Sequence, residues 1–164
     1  MGEQAAGRAM EPLTRDHLRA LGRLAAQEQD EFFARNPRYE PCRRGLLCVA
    51  LCQGGALHYV DGRNGAKDLD VWIFYAAASG PTFPPRWRRE KHYPDSGLTE
   101  WSERVEVLAR SIERLPSPDP AASLVHYLRS PRTRTAWELA QKAGVLIEPE
   151  ARIGEVIWPT GAAG

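Results

Sequence analysis

The sequence predicts one α/β (α+β) domain, and three observations carry that prediction. An amphipathic helical stretch opens the chain. Two apolar strand-like runs come next, separated by a Gly-Gly break and a short helical segment. Helical stripes and two further apolar pieces then close the C-terminal half. The chain has 164 residues, the size of a single domain, and a domain of about 150 residues buries roughly 70% of its unfolded surface without needing disulfides or a structural metal.

Each element has its own sequence signal. Residues 1–11 are small and polar and read as a flexible N-terminal tail, with the folded domain spanning 12–164. From Thr14 to Ala34, Leu18, Leu21, Ala25 and Phe32 recur at helical spacing. Thr14 is placed to cap this helix and Asn36-Pro37 to end it. Gly45 to Cys52 is a continuous apolar run, the pattern of a buried strand. Gln53-Gly54-Gly55 breaks it, and Ala56–Tyr59 reads as one or two helical turns. After the turn signals Asp61-Gly62 and Asn64-Gly65, Asp68 to Tyr75 reads as a second strand. It is apolar on both faces beyond Asp70, as a central strand would be. Residues 79–100 read as irregular, and Arg104–Leu108 as a third strand. Asp119-Pro120 opens a helix with Ala121, Leu124, Val125 and Leu128 on one face. A further helix is expected from Pro131 to Ala143, with Gly144 just beyond its end. Val145–Ile147 and Val156–Trp158 are short apolar segments.

Composition narrows the function classes. The formal net charge is +1, so the molecule as a whole is no electrostatic nucleic-acid binder, and a nucleic-acid contact would use a local patch. No apolar run reaches the ~20 residues that span a bilayer, and the N-terminal residues lack the apolar core of a signal peptide. Cys42, Cys48 and Cys52 form no Cys-x-x-Cys pair, and the last two sit within an apolar run. They read as small buried hydrophobes in a reducing, cytoplasmic setting. His17, His58, His92 and His126 show no metal-ligand spacing. No Walker A loop or nucleophile elbow is present.

The chemistry gathers at Asp68 and Asp70. Residues two apart on a strand share a face, so both carboxylates point the same way, roughly 7 Å apart at the backbone. Two like charges beside an apolar strand repel each other, and a divalent cation with its preference for oxygen relieves that repulsion. Gly54 and Gly55 let backbone N–H groups approach a ligand, and a helix start beyond them favours an anion.

In its order of elements, the stretch from Leu51-Cys52-Gln53-Gly54-Gly55 through Lys67-Asp68-Leu69-Asp70-Val71-Trp72 resembles the signature of the nucleotidyltransferase (DNA polymerase β-like) superfamily. That signature is an apolar strand, Gly-Gly or Gly-Ser, a short helix, then Asp-x-Asp on the next strand. Asp68 lies thirteen positions after Gly55, and Val105-Glu106-Val107 has the form of the family's third, isolated carboxylate. The stretch Asn64–Trp72 is similar to one found in small bacterial proteins. The resemblance implies a mixed central sheet flanked by helices and a two-metal phosphoryl-transfer site. In it Asp68 and Asp70 would bind Mg²⁺ (or Mn²⁺) carrying a nucleoside triphosphate, Glu106 would join the second metal, and Gly54 and Gly55 would hold phosphate. Two departures stand out: Gly55 replaces the hydroxyl-bearing serine of many members, and Glu106 replaces the usual aspartate.

A basic, aromatic stretch, Pro85-Arg86-Trp87-Arg88-Arg89-Glu90-Lys91-His92-Tyr93, lies between the acidic segments. Arg86, Arg88, Arg89 and Lys67 are candidate phosphate ligands and Trp87 or Tyr93 a candidate stacking surface; the alternative is a solvated loop with aromatic anchors into the core. The leading expectation is a metal-dependent nucleotidyltransferase acting on an unspecified acceptor. The rivals are a catalytically retired nucleotide- or RNA-binding module and a toxin–antitoxin type interaction protein.

Overall fold

The computed structural model describes residues 9–77, 98 and 104–160, together with the backbone of 86–91. Six strands form one mixed sheet: β1 (Leu46–Cys52), β2 (Leu69–Ala76), β3 (Arg86–Lys91), β4 (Val105–Ile112), β5 (Gly144–Glu148) and β6 (Val156–Trp158). Their spatial order is β3-β4-β2-β1-β5-β6. β2 and β4 run parallel, and the other pairs are antiparallel. The expected α/β class, with helices beside a mixed sheet, is what the chain adopts.

Helix α1 (Arg15–Arg35) starts where the sequence places its cap. The Thr14 side chain accepts from the His17 N–H, and the His17 ring pairs back to the Thr14 N–H at 2.9 Å, a capping box with histidine in the usual glutamate's place. Leu18, Leu21, Ala25 and Phe32 are all buried, as their spacing requires. They pack against one face of the sheet, where Val49 and Leu51 of β1 and Leu69, Val71, Ile73 and Tyr75 of β2 present their side chains. Each such aliphatic residue taken out of water contributes about 1.5–3 kcal/mol. The Tyr75 hydroxyl, buried in this layer, donates to Gln29 Oε1 at 2.6 Å. Burial holds that phenol far above its ordinary pKa.

The opposite face carries Cys48, Ala50, Cys52, Trp72 and Phe74. It is covered by α3 (Ala122–Arg129) and α4 (Arg134–Leu139) through Leu124, Leu128 and Leu139. Helix α2 (Gln53–Asp61) sits at one end, between β1 and β2. It closes on Gly62 at φ +67°, the left-handed conformation that a glycine adopts without steric cost. Buried His58 ties its far end down: Nδ1 accepts from the Gly65 N–H at 3.0 Å, so Nε2 carries the proton and donates to the Glu11 carbonyl at 2.9 Å. Ala9, expected in the tail, is buried and bridged to Ala66.

Several expectations change. Residues 86–91 form an edge strand in antiparallel register with β4 rather than part of an irregular stretch. β4 runs to Ile112, four residues beyond the expected end. Residues 37–45 form a 3₁₀ segment that carried no clear signal. The helix expected over 131–143 is confined to Arg134–Leu139, capped by Thr133, whose side chain accepts from the Ala136 N–H at 3.1 Å. Gly144 is the first residue of β5 instead of a helix terminator, because Ala143 is already engaged: its carbonyl accepts from the Gln53 N–H at 3.2 Å. Asp119 lies outside α3, yet it organises the turn before it by accepting from the Ala121 N–H at 2.9 Å.

Cys48 and Cys52 are buried as expected, whereas Cys42 is half-buried. Burial, with a smaller contribution from the charge of Asp119, pushes the Cys48 thiol up to about 12. Burial first, then the charge of Asp70, raises Cys52 well above its ordinary value. A thiol-specific reagent at pH 8 is expected to label Cys42 fastest in the folded chain and all three thiols after denaturation. Above the ordinary thiol pKa of about 8.5 the unfolded chain releases protons that the folded chain retains, so stability falls as pH rises from there towards 12, by about 1.4 kcal/mol per pH unit per thiol. Chemical denaturation from pH 8 to 10 should show this slope, and Cys48→Ala should remove its share.

Candidate functional site

The site forms at the end of the sheet where β1 leaves and β2 enters. One row of residues crosses all six strands in register: Trp158, Gly144, Cys52, Asp70, Glu106 and Glu90. Neighbours in such a row lie about 4.8 Å apart. Asp70 and Glu106 are directly paired on adjacent parallel strands, both half-buried, on the sheet face that α3 and α4 cover further along. Asp68 stands exposed just before β2, two residues from Asp70. The alternation expected for the aspartate pair holds along the strand: Leu69, Val71 and Ile73 enter the opposite layer.

A cavity of about 280 Å³ opens beside the aspartates. Asp68, Asp70 and Lys67 line it from β2 and its approach, Gln53 and Gly54 from the start of α2, and Glu138 and Lys142 from α4 and the turn after it. Two lysines thus stand among three carboxylates, a wall able to hold a cation and an anion side by side. Glu106, one strand over, is not among the described residues that line this cavity. Among the described residues, no group of three or more His, Cys, Asp or Glu side chains is arranged to hold a metal ion. The two aspartates and Glu106 therefore share an end of the sheet without forming a ready-made three-carboxylate cage.

The two glycines have different tasks. Gly54 lines the cavity, and a Cβ added there would meet only Lys142 Nζ, at 4.0 Å. Gly55 faces the core, where a Cβ would sit 3.0 Å from Leu69 Cδ2 and 3.2 Å from Leu51 Cδ1. Only a residue without a side chain lets α2 settle this closely onto β1 and β2. Gln53, just before them, holds φ at +58°, a conformation that costs a non-glycine residue about 1–3 kcal/mol. The chain accepts this strain at the corner where it turns from β1 into the cavity wall.

Of the remaining candidates, Lys67 is exposed on the cavity rim. Arg86, Arg88 and Arg89 lie on β3, in register with Arg110, Leu108 and Val107 of β4. Tyr93 and His92 fall outside the described residues. Sequence reasoning missed Lys142 and Glu138, which reach the cavity from more than sixty residues downstream of Asp70. The one usable signal was their helical i, i+4 spacing.

No protein-family profile matches the chain, and no curated protein or solved structure matches it at a significant level. Among the described residues no helix is long and apolar enough to cross a membrane.

The glycine geometry separates a packing role from a site role. Gly55→Ala should destabilise the fold by about 1–3 kcal/mol through overpacking against Leu51 and Leu69. Gly54→Ala should change stability by no more than about 0.5 kcal/mol. Urea denaturation of the two variants checks both values.

Proposed function

We propose that this protein is a metal-dependent nucleotidyltransferase, moving a nucleoside monophosphate from a triphosphate to an acceptor. The observation that carries the reading is the in-register placement of Asp70 beside Glu106, with Asp68 and the Gly54 corner around one cavity. The order of strand, glycine corner, helix and aspartate strand agrees with it.

The donor set suits Mg²⁺ or Mn²⁺. Mg²⁺ is commonly bound by one or two carboxylates, completing its shell with water and substrate phosphates, so an all-protein cage is not required. Asp68 and Asp70 would hold the ion. When bound, it would neutralise charge on the transferring phosphoryl group. Lys67 and Lys142 would take the outer phosphate oxygens, and the Gly54 backbone leaves room for them. Glu106 would accept the acceptor hydroxyl's proton as its oxygen bonds to the α-phosphorus and pyrophosphate departs.

One observation favours a second reading, nucleotide binding without turnover: Glu106 is not among the described residues that line the aspartate cavity, so a nucleotide could be held there by Asp68, Asp70 and the lysines without it.

With Mn²⁺ present, a nucleoside triphosphate should raise the melting temperature of the full chain. Asp68→Asn combined with Asp70→Asn should abolish the shift, and chelation of the metal should do the same. An unchanged shift in the double variant overturns both readings. If transfer is detected with any acceptor, Glu106→Gln should lower kcat by about 10²–10⁴ while leaving the nucleotide-dependent shift in place. A shift without transfer supports the binding-only reading.

A further inference from the structure

A second cavity, about 270 Å³, lies against β4 and α3 on the same sheet face as Asp70 and Glu106. It is lined from β4 by Arg110, whose backbone stands four residues beyond Glu106, about 13 Å along the strand. Arg132 and His126 add further nitrogen donors from α3 and the turn after it, and the Tyr127 side chain borders it. We propose that this cavity binds the phosphate group of a small phosphate monoester.

Three observations carry the proposal. First, the Arg110 Nη1 atom is buried with no hydrogen-bond partner among the described residues. A buried donor left unpaired costs about 1–3 kcal/mol, and more when it is charged. An oxyanion brought to Arg110 supplies a partner that no described residue gives this atom. Second, neither Arg110 nor Arg132 has an ion-pair partner among the described residues. The half-buried Arg43 and Arg152 do: Arg43 pairs with Asp30 and Glu40, and Arg152 with Asp119 and Glu155. The cavity's carboxylate, Glu113, lies instead 3.9 Å from His126 and, among the described residues, pairs with neither guanidinium group. Third, the size fits. At about 270 Å³ the cavity lies at the lower edge of small-ligand pockets, which begin at about 300 Å³, and has room for a phosphate bearing a short organic group. Tyr127 and Ile112 offer an apolar wall for the organic part. Two guanidinium forks suit the several oxygens of a phosphate better than a single carboxylate would. The site stands independently of whether the aspartate cavity turns over nucleotide.

Isothermal titration of the full chain with glycerol 3-phosphate, inorganic phosphate and glycerol tests the assignment. Saturable binding is expected for glycerol 3-phosphate, weaker binding for inorganic phosphate and none for glycerol. Arg132→Ala, at an exposed position where folding is safe, should weaken the monoester about tenfold, and Arg110→Lys, which keeps the charge but loses the fork, should do likewise. If Arg110→Lys fails to fold, Arg132→Ala decides alone. Lys142→Ala, in the other cavity, should leave this affinity unchanged. The proposal is overturned by an absence of saturable monoester binding at millimolar concentration, or by inorganic phosphate binding as tightly as the monoester. It is equally overturned if the loss of affinity tracks Lys142→Ala and not the arginine variants.

Discussion

Leu69 pairs with Val105 and Ala76 with Ile112, and the parallel register between these eight-residue strands sets the geometry of the whole acidic end of the sheet. Side chains alternate with a period of two, so sliding β4 by one residue would send Glu106 into the α1 layer and Val105 or Val107 to the side of Asp70. The apolar alternation prevents this: Val105, Val107 and Ala109 are buried in the same layer as Leu69, Val71 and Ile73. Hydrophobic matching in one layer thus fixes the position of the acidic residues in the other, and the chemistry inherits its alignment from the core.

The corner at Gln53–Gly55 answers to the same constraint from the other side of β2. β1 ends at Cys52, in register with Asp70, so α2 must begin within a residue of the acidic row. The positive φ of Gln53 and the bare α-carbon of Gly55 let the helix turn away at once and still seat against Leu51 and Leu69. A gentler turn would lift α2 off the sheet and take Gly54 away from the aspartates. Further along the same face, Arg152 is paired with Asp119 and Glu155, whereas the buried Nη1 of Arg110 has no hydrogen-bond partner among the described residues.

How much could be read from the sequence depends on how local each signal is. α1 declares itself through its helical periodicity and β1 and β2 through their apolar runs, and the Thr14 cap lies within three residues of its partner. β3 does not, because Arg-Trp-Arg-Arg-Glu-Lys has no apolar alternation: its place beside β4 is a backbone pairing that composition alone does not announce. α4 was overextended because helical propensity continues through Gln141 and Lys142, while the competing bond from Gln53 to Ala143 is a contact across ninety residues of sequence. At the site, Asp68 and Asp70 were visible as a pair and Glu106 as an isolated acid. Lys142 and Glu138 were not, since only the folded sheet brings the end of α4 to the start of α2.

The two borders of the six-stranded sheet bear on edge-to-edge pairing. One border, β6, is only three residues long, its Trp158 indole already donating to the Ala140 carbonyl, with Pro159 next in the chain. The other, β3, carries five charged residues in six. Unpaired strand edges are templates for further strands, and shortness and charge are two ways of refusing them. A run of mostly cations that looks like an inviting phosphate ligand in the sequence is therefore also a composition that discourages edge-to-edge pairing. Neutralising Arg86, Arg88 and Arg89 to probe ligand binding would also remove that charge, so a loss of solubility could be mistaken for a loss of binding.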